Sequence, residues 1–139
     1  MSESIKIPQS IIDQIVADAQ EMLPNEGCGY LVGLGDTIHR FYKMSNLDAQ
    51  PDHFSFDPQE QFKVLKEARR DGYQILSVYH SHPSSPARLS IEDYRLLKDK
   101  NMIYIIVSMM TDTFIVNEAI KAYRITGENS SDLVRIEII

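Results

Sequence analysis

A second cysteine, an apolar run long enough to span a membrane and a cluster of basic residues are all missing from this 139-residue sequence. One thiol cannot close an internal disulfide, so the fold must rest on its apolar core, and the count agrees with a reducing compartment. The longest apolar stretch, MIYIIVSMM at 102–110, falls far short of the roughly 20 residues a spanning helix needs. The N-terminus also lacks the basic-then-apolar layout of a secretory signal, so the expected location is cytoplasmic, with no membrane partner. Arg69 and Arg70 stand adjacent, but the other basic residues are scattered in a chain of net charge −6. That argues against the broad cationic surface on which nucleic-acid binding runs.

Repeats, low-complexity tracts and linkers are absent too, and 43% hydrophobic content over this length fits one compact domain spanning residues 1–139. Helical and strand patterns alternate along it. Ile11, Ile12, Ile15, Val16, Ala19, Met22 and Leu23 recur at helical spacing between Pro8, suited to a first turn, and Pro24. GCGYLVGL and TIHRFYKM read as an antiparallel hairpin about Gly35-Asp36. In DPQEQFKVLKEARRDG, Asp57 is a cap, Pro58 the first helical residue, Glu60 the partner in a capping box and Gly72 the stop. YQILSVYH and MIYIIVSMM have the composition of central strands covered on both faces. DTFIVNEAIKAYRIT and LVRIEII, parted by GENSS, complete a mixed sheet with helices packed on it.

The chemistry concentrates in YHSHPSSPARLSIED, residues 79–93. His80 and His82 leave the end of a strand, where the period of two turns both imidazoles to one side. Pro83 ends the regular ladder, and after six residues Ser90 opens a helix whose first turn carries Asp93 back toward the histidines. Two imidazoles and a carboxylate are three protein ligands, the catalytic form of a zinc site, in which one tetrahedral position stays open. Each fragment alone has a plainer reading: Ser-x-x-Asp as a helix cap, His-x-His as solvated strand-end residues. His39 reads as a strand-face residue and His53 as a possible pocket neighbour. The methionines at 102, 109 and 110 read as packing residues.

Taken together, His80-x-His82-Pro83, six residues, then Ser90-x-x-Asp93 resembles the signature of the JAMM (MPN+) metalloprotease family. PNEGCGYLVG resembles the family's opening at the first helix-to-strand junction, which nominates Glu26. The resemblance spans roughly Ile7 to Ala122 and looks like the minimal prokaryotic type. It implies a cytidine-deaminase-like layered α/β fold, and zinc on His80, His82 and Asp93. It further implies Glu26 as general base and acid, and the Ser90 hydroxyl as donor to the developing oxyanion. The implied substrate is an amide or isopeptide bond following the extended, Gly-Gly-ended tail of a ubiquitin-like or sulfur-carrier protein. Asn46–Phe56 is then expected to form part of the sheet edge for that tail. Leu89 stands where members commonly have proline, with Pro86 three residues earlier, so the loop is expected to differ in rigidity. SSPARL has no glycine, unlike the DNA-repair branch.

Cys28, two residues past Glu26, is read as a buried or pocket-lining thiol. Two alternatives stay open: a zinc hydrolase or deaminase of a small molecule, though Pro-Cys-x-x-Cys ligands are lacking, and a non-catalytic MPN scaffold. Oligomeric state cannot be read from the chain.

Overall fold

In the computed structural model, which describes residues 3–110 and 119–139, the first amphipathic helix is α1 (Gln9–Met22), entered directly from Pro8. It is preceded by a strand that the sequence reading did not contain, β1 (Ser4–Ile7). Four residues carry too little period to register as a strand, yet Ile5 and Ile7 are wholly buried while Ser4 and Lys6 are not. The hairpin appears as β2 (Cys28–Leu34) and β3 (Thr37–Met44), with Gly35 at φ +61° in the turn, a conformation that glycine adopts at little cost.

Helix α2 (Pro58–Arg70) starts as read, with Asp57 accepting from the Gln59 N–H and Pro58 at the first position. Gly72 beyond it has φ +78°. Glu60 does not complete a capping box. Its carboxylate is taken by Ser45, whose N–H and hydroxyl donate to it at 2.8 and 2.7 Å, a tertiary pairing that satisfies it better than the helix end would.

The remaining elements are β4 (Gln74–His82), α3 (Ile91–Leu96), β5 (Ile103–Ser108), β6 (Ile120–Gly127) and β7 (Ser130–Ile138). The expected strand pair after residue 110 is thus seen as β6 and β7, and the portion of that reading on 111–118 lies outside the described residues. The sheet order is β1-β3-β2-β4-β5-β6-β7, with β4 and β5 parallel and the sheet closed through β1. Closure rests on parallel pairing of β1 with β7 and a bridge from Lys6 to Thr37 of β3.

Two core clusters lie on opposite sides of β4. One joins Ile11, Ile12 and Ile15 of α1 to Leu31, Tyr79 and Ile105; the other joins Val64 and Ala68 of α2 to Cys28, Tyr30, Val78 and Tyr104. From Val78 to His82, past a register shift against β2, successive β4 side chains alternate between the two sides. Tyr79 and Ser81 therefore face the α1 side, and His80 and His82 face away from it.

Candidate metal centre

β4 ends at His82, and its pleat delivers His80 and His82 to one side. Ser90 caps α3 and Asp93 is its third residue. Here the capping reading holds, and the capped carboxylate is also free to face a metal. The Ser90 hydroxyl oxygen accepts from the Asp93 N–H, and Asp93 Oδ2 accepts from the Ser90 N–H, both at 3.0 Å. This cap clamps a carboxylate that also faces the histidines. His82 Nε2 lies 3.0 Å from Asp93 Oδ2, His80 Nε2 3.2 Å from Asp93 Oδ1, and the two Nε2 atoms are 3.1 Å apart. All three side chains are buried.

The donor set fits a tetrahedral cation. Bonds of about 2.0 Å give ligand-to-ligand edges of about 3.3 Å, close to the 3.1 Å between the two Nε2 atoms, and Asp93 brings one carboxylate oxygen within 3.2 Å of each. His82 Nδ1 lies 2.8 Å from the Pro86 carbonyl, which can only accept, so Nδ1 carries the proton and Nε2 presents its lone pair inward. Burial acts against ionisation of Asp93 more than any other single influence. Its contacts with His80 and His82 and the hydrogen bond from the Ser90 N–H outweigh it and hold the carboxyl well below its usual range. Burial likewise lowers His80, keeping its imidazole neutral as a ligand must be. His80, His82 and Asp93 form a group able to hold a metal ion.

Glu26 precedes β2 and stands outside that ligand group. Its backbone is pinned, with its N–H donating to the Gln50 carbonyl at 2.9 Å and its carbonyl accepting from Asn46 Nδ2 at 3.1 Å. Its side chain is 2% exposed, and Oε1 has no partner among the described residues. Burial first, then the charges of Asp93 and Asp52, push the carboxyl up to about 9. A buried acid with Oε1 unpartnered among the described residues and raised by the Asp93 charge could hold a proton, and a cation beside it would draw it back toward ionisation.

Cys28 is fully buried in the α2-side cluster, its thiol pushed up to about 12 by burial and then by Asp18, Glu26 and Glu60. It is a core thiol. His39 is exposed on β3 and stacks on Tyr73, and His53 pairs with Asp48 at 2.9 Å. Met102 and Met109 are partly buried and Met110 is exposed. Residues 46–56 form no edge strand. Asn46 ties them into a loop, donating to the Glu26 and His53 carbonyls and accepting from the Asp48 and Ser55 N–H groups. Phe54 of this loop stacks on the His80 ring at 5.1 Å, a neighbour that no local pattern in the sequence marks. The loop after Pro83 is held through the carbonyls of Ser85, Pro86 and Ala87, which accept from Ser108, His82 and Tyr123. Leu89 packs partly buried against it, so this loop is fixed without proline at that position.

A family model described as prokaryotic homologs of the JAB domain matches residues 8–125. The chain belongs to this family. The CysO-cysteine peptidase of Mycobacterium tuberculosis is 31% identical over 105 residues, covering 73% of this chain and 71% of that protein. A probable TtuB-protein conjugate cleaving protease of Thermus thermophilus is 30% identical over 90 residues, covering 64% and 60%. A solved solution structure from Desulfitobacterium hafniense superposes with a TM-score of 0.86 at 36% identity, covering 97% of this chain and 92% of that one. This JAB-domain chain has the layered α/β fold its signature implied, and it is a hydrolase and a protease. The scaffold alternative is thereby set aside. Among the described residues no helix of this JAB-domain protein is long and apolar enough to cross a membrane.

Proposed function

We propose that the chain is a zinc-dependent peptidase or isopeptidase, working as one domain over residues 1–139 in the cytoplasm. It hydrolyses the amide bond after the C-terminal Gly-Gly tail of a ubiquitin-like or sulfur-carrier protein. The observation that carries this is Glu26, buried with Oε1 lacking a partner among the described residues and feeling the charge of Asp93, one of three converging candidate ligands. That one relative is a CysO-cysteine peptidase and another a probable TtuB-protein conjugate cleaving protease supports the substrate class.

His80, His82 and Asp93 would hold zinc, which when bound supplies Lewis acidity and makes water a nucleophile near neutral pH. Glu26 takes the proton of the attacking water and hands it to the leaving amine; burial protects that proton from bulk exchange. Ser90 spends only an oxygen lone pair on its cap, so its O–H remains free to donate to the substrate oxyanion. The loop tethered by Asn46 sets Phe54 on the His80 ring and holds the tail in place of an edge strand.

The test is intact-mass analysis of carriers extended past Gly-Gly, incubated with the zinc-loaded protein and with Glu26→Gln. Cleavage directly after Gly-Gly that the variant lacks is the expected result. Failure to cut any carrier would sink the substrate assignment.

A further inference from the structure

The face of β4 opposite the ligands carries a buried polar knot that the reaction does not account for. Ser81 N–H donates to the Gly27 carbonyl at 3.0 Å, and the Gly27 N–H donates to Ser81 Oγ at 2.7 Å, so one residue grips both sides of Gly27. The regular β2–β4 register ends one pair earlier, at Cys28 and His80. Beyond it a side-chain hydroxyl takes over as acceptor for the Gly27 N–H. Tyr79 Oη, which lies with Ser81 Oγ around Gly27, donates to Asp18 Oδ2 of α1 at 3.1 Å. Asp18, Tyr79 and Ser81 are all buried, and Asp18 Oδ1 has no partner among the described residues. The knot closes tightly around Gly27, where a Cβ would lie 2.6 Å from Tyr79 Oη and 2.8 Å from Asp18 Oδ2.

Groups this deep are costly to bury unless they fix something. What they fix is the peptide next to Glu26, gripped by the residue that stands between the two histidine ligands. We propose that Ser81, backed by Tyr79 and Asp18, is a positioning residue that sets Glu26 against the ligand group. β4 thus locates the ligands with one face and the proton carrier with the other. The proposal rests on the peptidase reading for its consequence in rate, and its structural content is independent of any substrate.

The experiment compares wild type, Ser81→Ala, Ser81→Thr and Tyr79→Phe. The first readout is the 13Cδ resonance of Glu26, identified by its loss in Glu26→Gln. The second is the absorption of the cobalt-substituted protein, which reports the ligands. The third is kcat on a carrier fusion, in a double-mutant cycle with Glu26→Gln. Ser81→Ala should move the Glu26 resonance, leave the cobalt spectrum unchanged and lower kcat on the order of a hundredfold. It should cost nothing further in the Glu26→Gln background. Ser81→Thr should restore the signal, and Tyr79→Phe, which removes a single oxygen, should move it in the same direction by less. An unmoved Glu26 resonance in Ser81→Ala, an altered cobalt spectrum, or losses that multiply in the cycle would overturn the proposal. If wild type cleaves no carrier, the substrate assignment fails while the resonance and the cobalt spectrum still decide this one.

Discussion

Ser90 and Asp93 bind each other twice at 3.0 Å, each backbone N–H donating to the other's side chain, and the same Asp93 oxygen lies 3.0 Å from His82. A helix of six residues is too short to hold its own start, so the cap that creates α3 also aims the Asp93 carboxylate at the histidines.

The two roles of Ser90 can be separated. Ser90→Ala removes the cap and should cost about 1 kcal/mol of stability, whereas Ser90→Gly should cost only a few tenths. Both remove the free O–H and should lower kcat by roughly a hundredfold or more. Thermal unfolding beside steady-state kinetics reads this out, and a Ser90→Gly enzyme with full kcat would remove Ser90 from the chemistry.

Metal removal should abolish cleavage without unfolding the chain, because both core clusters are built from apolar residues. Chelated protein should keep its far-UV circular dichroism and melt at a lower temperature, with added zinc restoring both activity and melting temperature. His80→Ala, His82→Ala and Asp93→Ala should each lose bound metal. Retention of one zinc per chain in all three would show that the metal sits elsewhere.

The metal-free protein should gain stability from Glu26→Gln, with a definite pH dependence. Burial foremost raises the Glu26 carboxyl from an ordinary 4.5 to about 9. A group raised on folding costs nothing below pH 4.5 and costs progressively more as pH rises toward 9, because the unfolded chain has already released its proton. The variant should therefore match wild type near pH 4, exceed it at pH 7 by on the order of 3 kcal/mol at most, and level off above pH 9. Urea unfolding at several pH values measures the gap, and a gap that is flat with pH contradicts the burial of an unpartnered carboxyl.

Cys28 should be inert in the folded protein. With the thiol buried and pushed up to about 12, disulfide reagents at pH 8 should react only at the rate of unfolding, and activity should survive the reagent. Rapid labelling of the native protein, followed by colorimetry, would contradict this.

Much of this was legible in the sequence because it is written within a few residues. Helical spacing gave α1, Asp57-Pro58 gave the start of α2, Gly35 gave the hairpin turn, and His-x-His with Ser-x-x-Asp gave the group able to hold a metal ion. Period, caps and turns depend on neighbours along the chain, so a linear reading can see them.

The rest depended on partners far away in sequence. β1 is a strand only because β7, more than a hundred residues on, pairs with it and closes the sheet. Glu60 left its helix end for Ser45, and residues 46–56 became a tethered loop because Asn46 found the carbonyl of Glu26, 20 residues earlier. The Tyr79–Asp18 bond joins residues 61 apart, and nothing local marks either one as its partner. The sequence by itself determined which residues could hold a metal. Only the folded chain decided how they are aimed and what lies behind them, because burial and hydrogen-bond geometry come from the packing of distant segments.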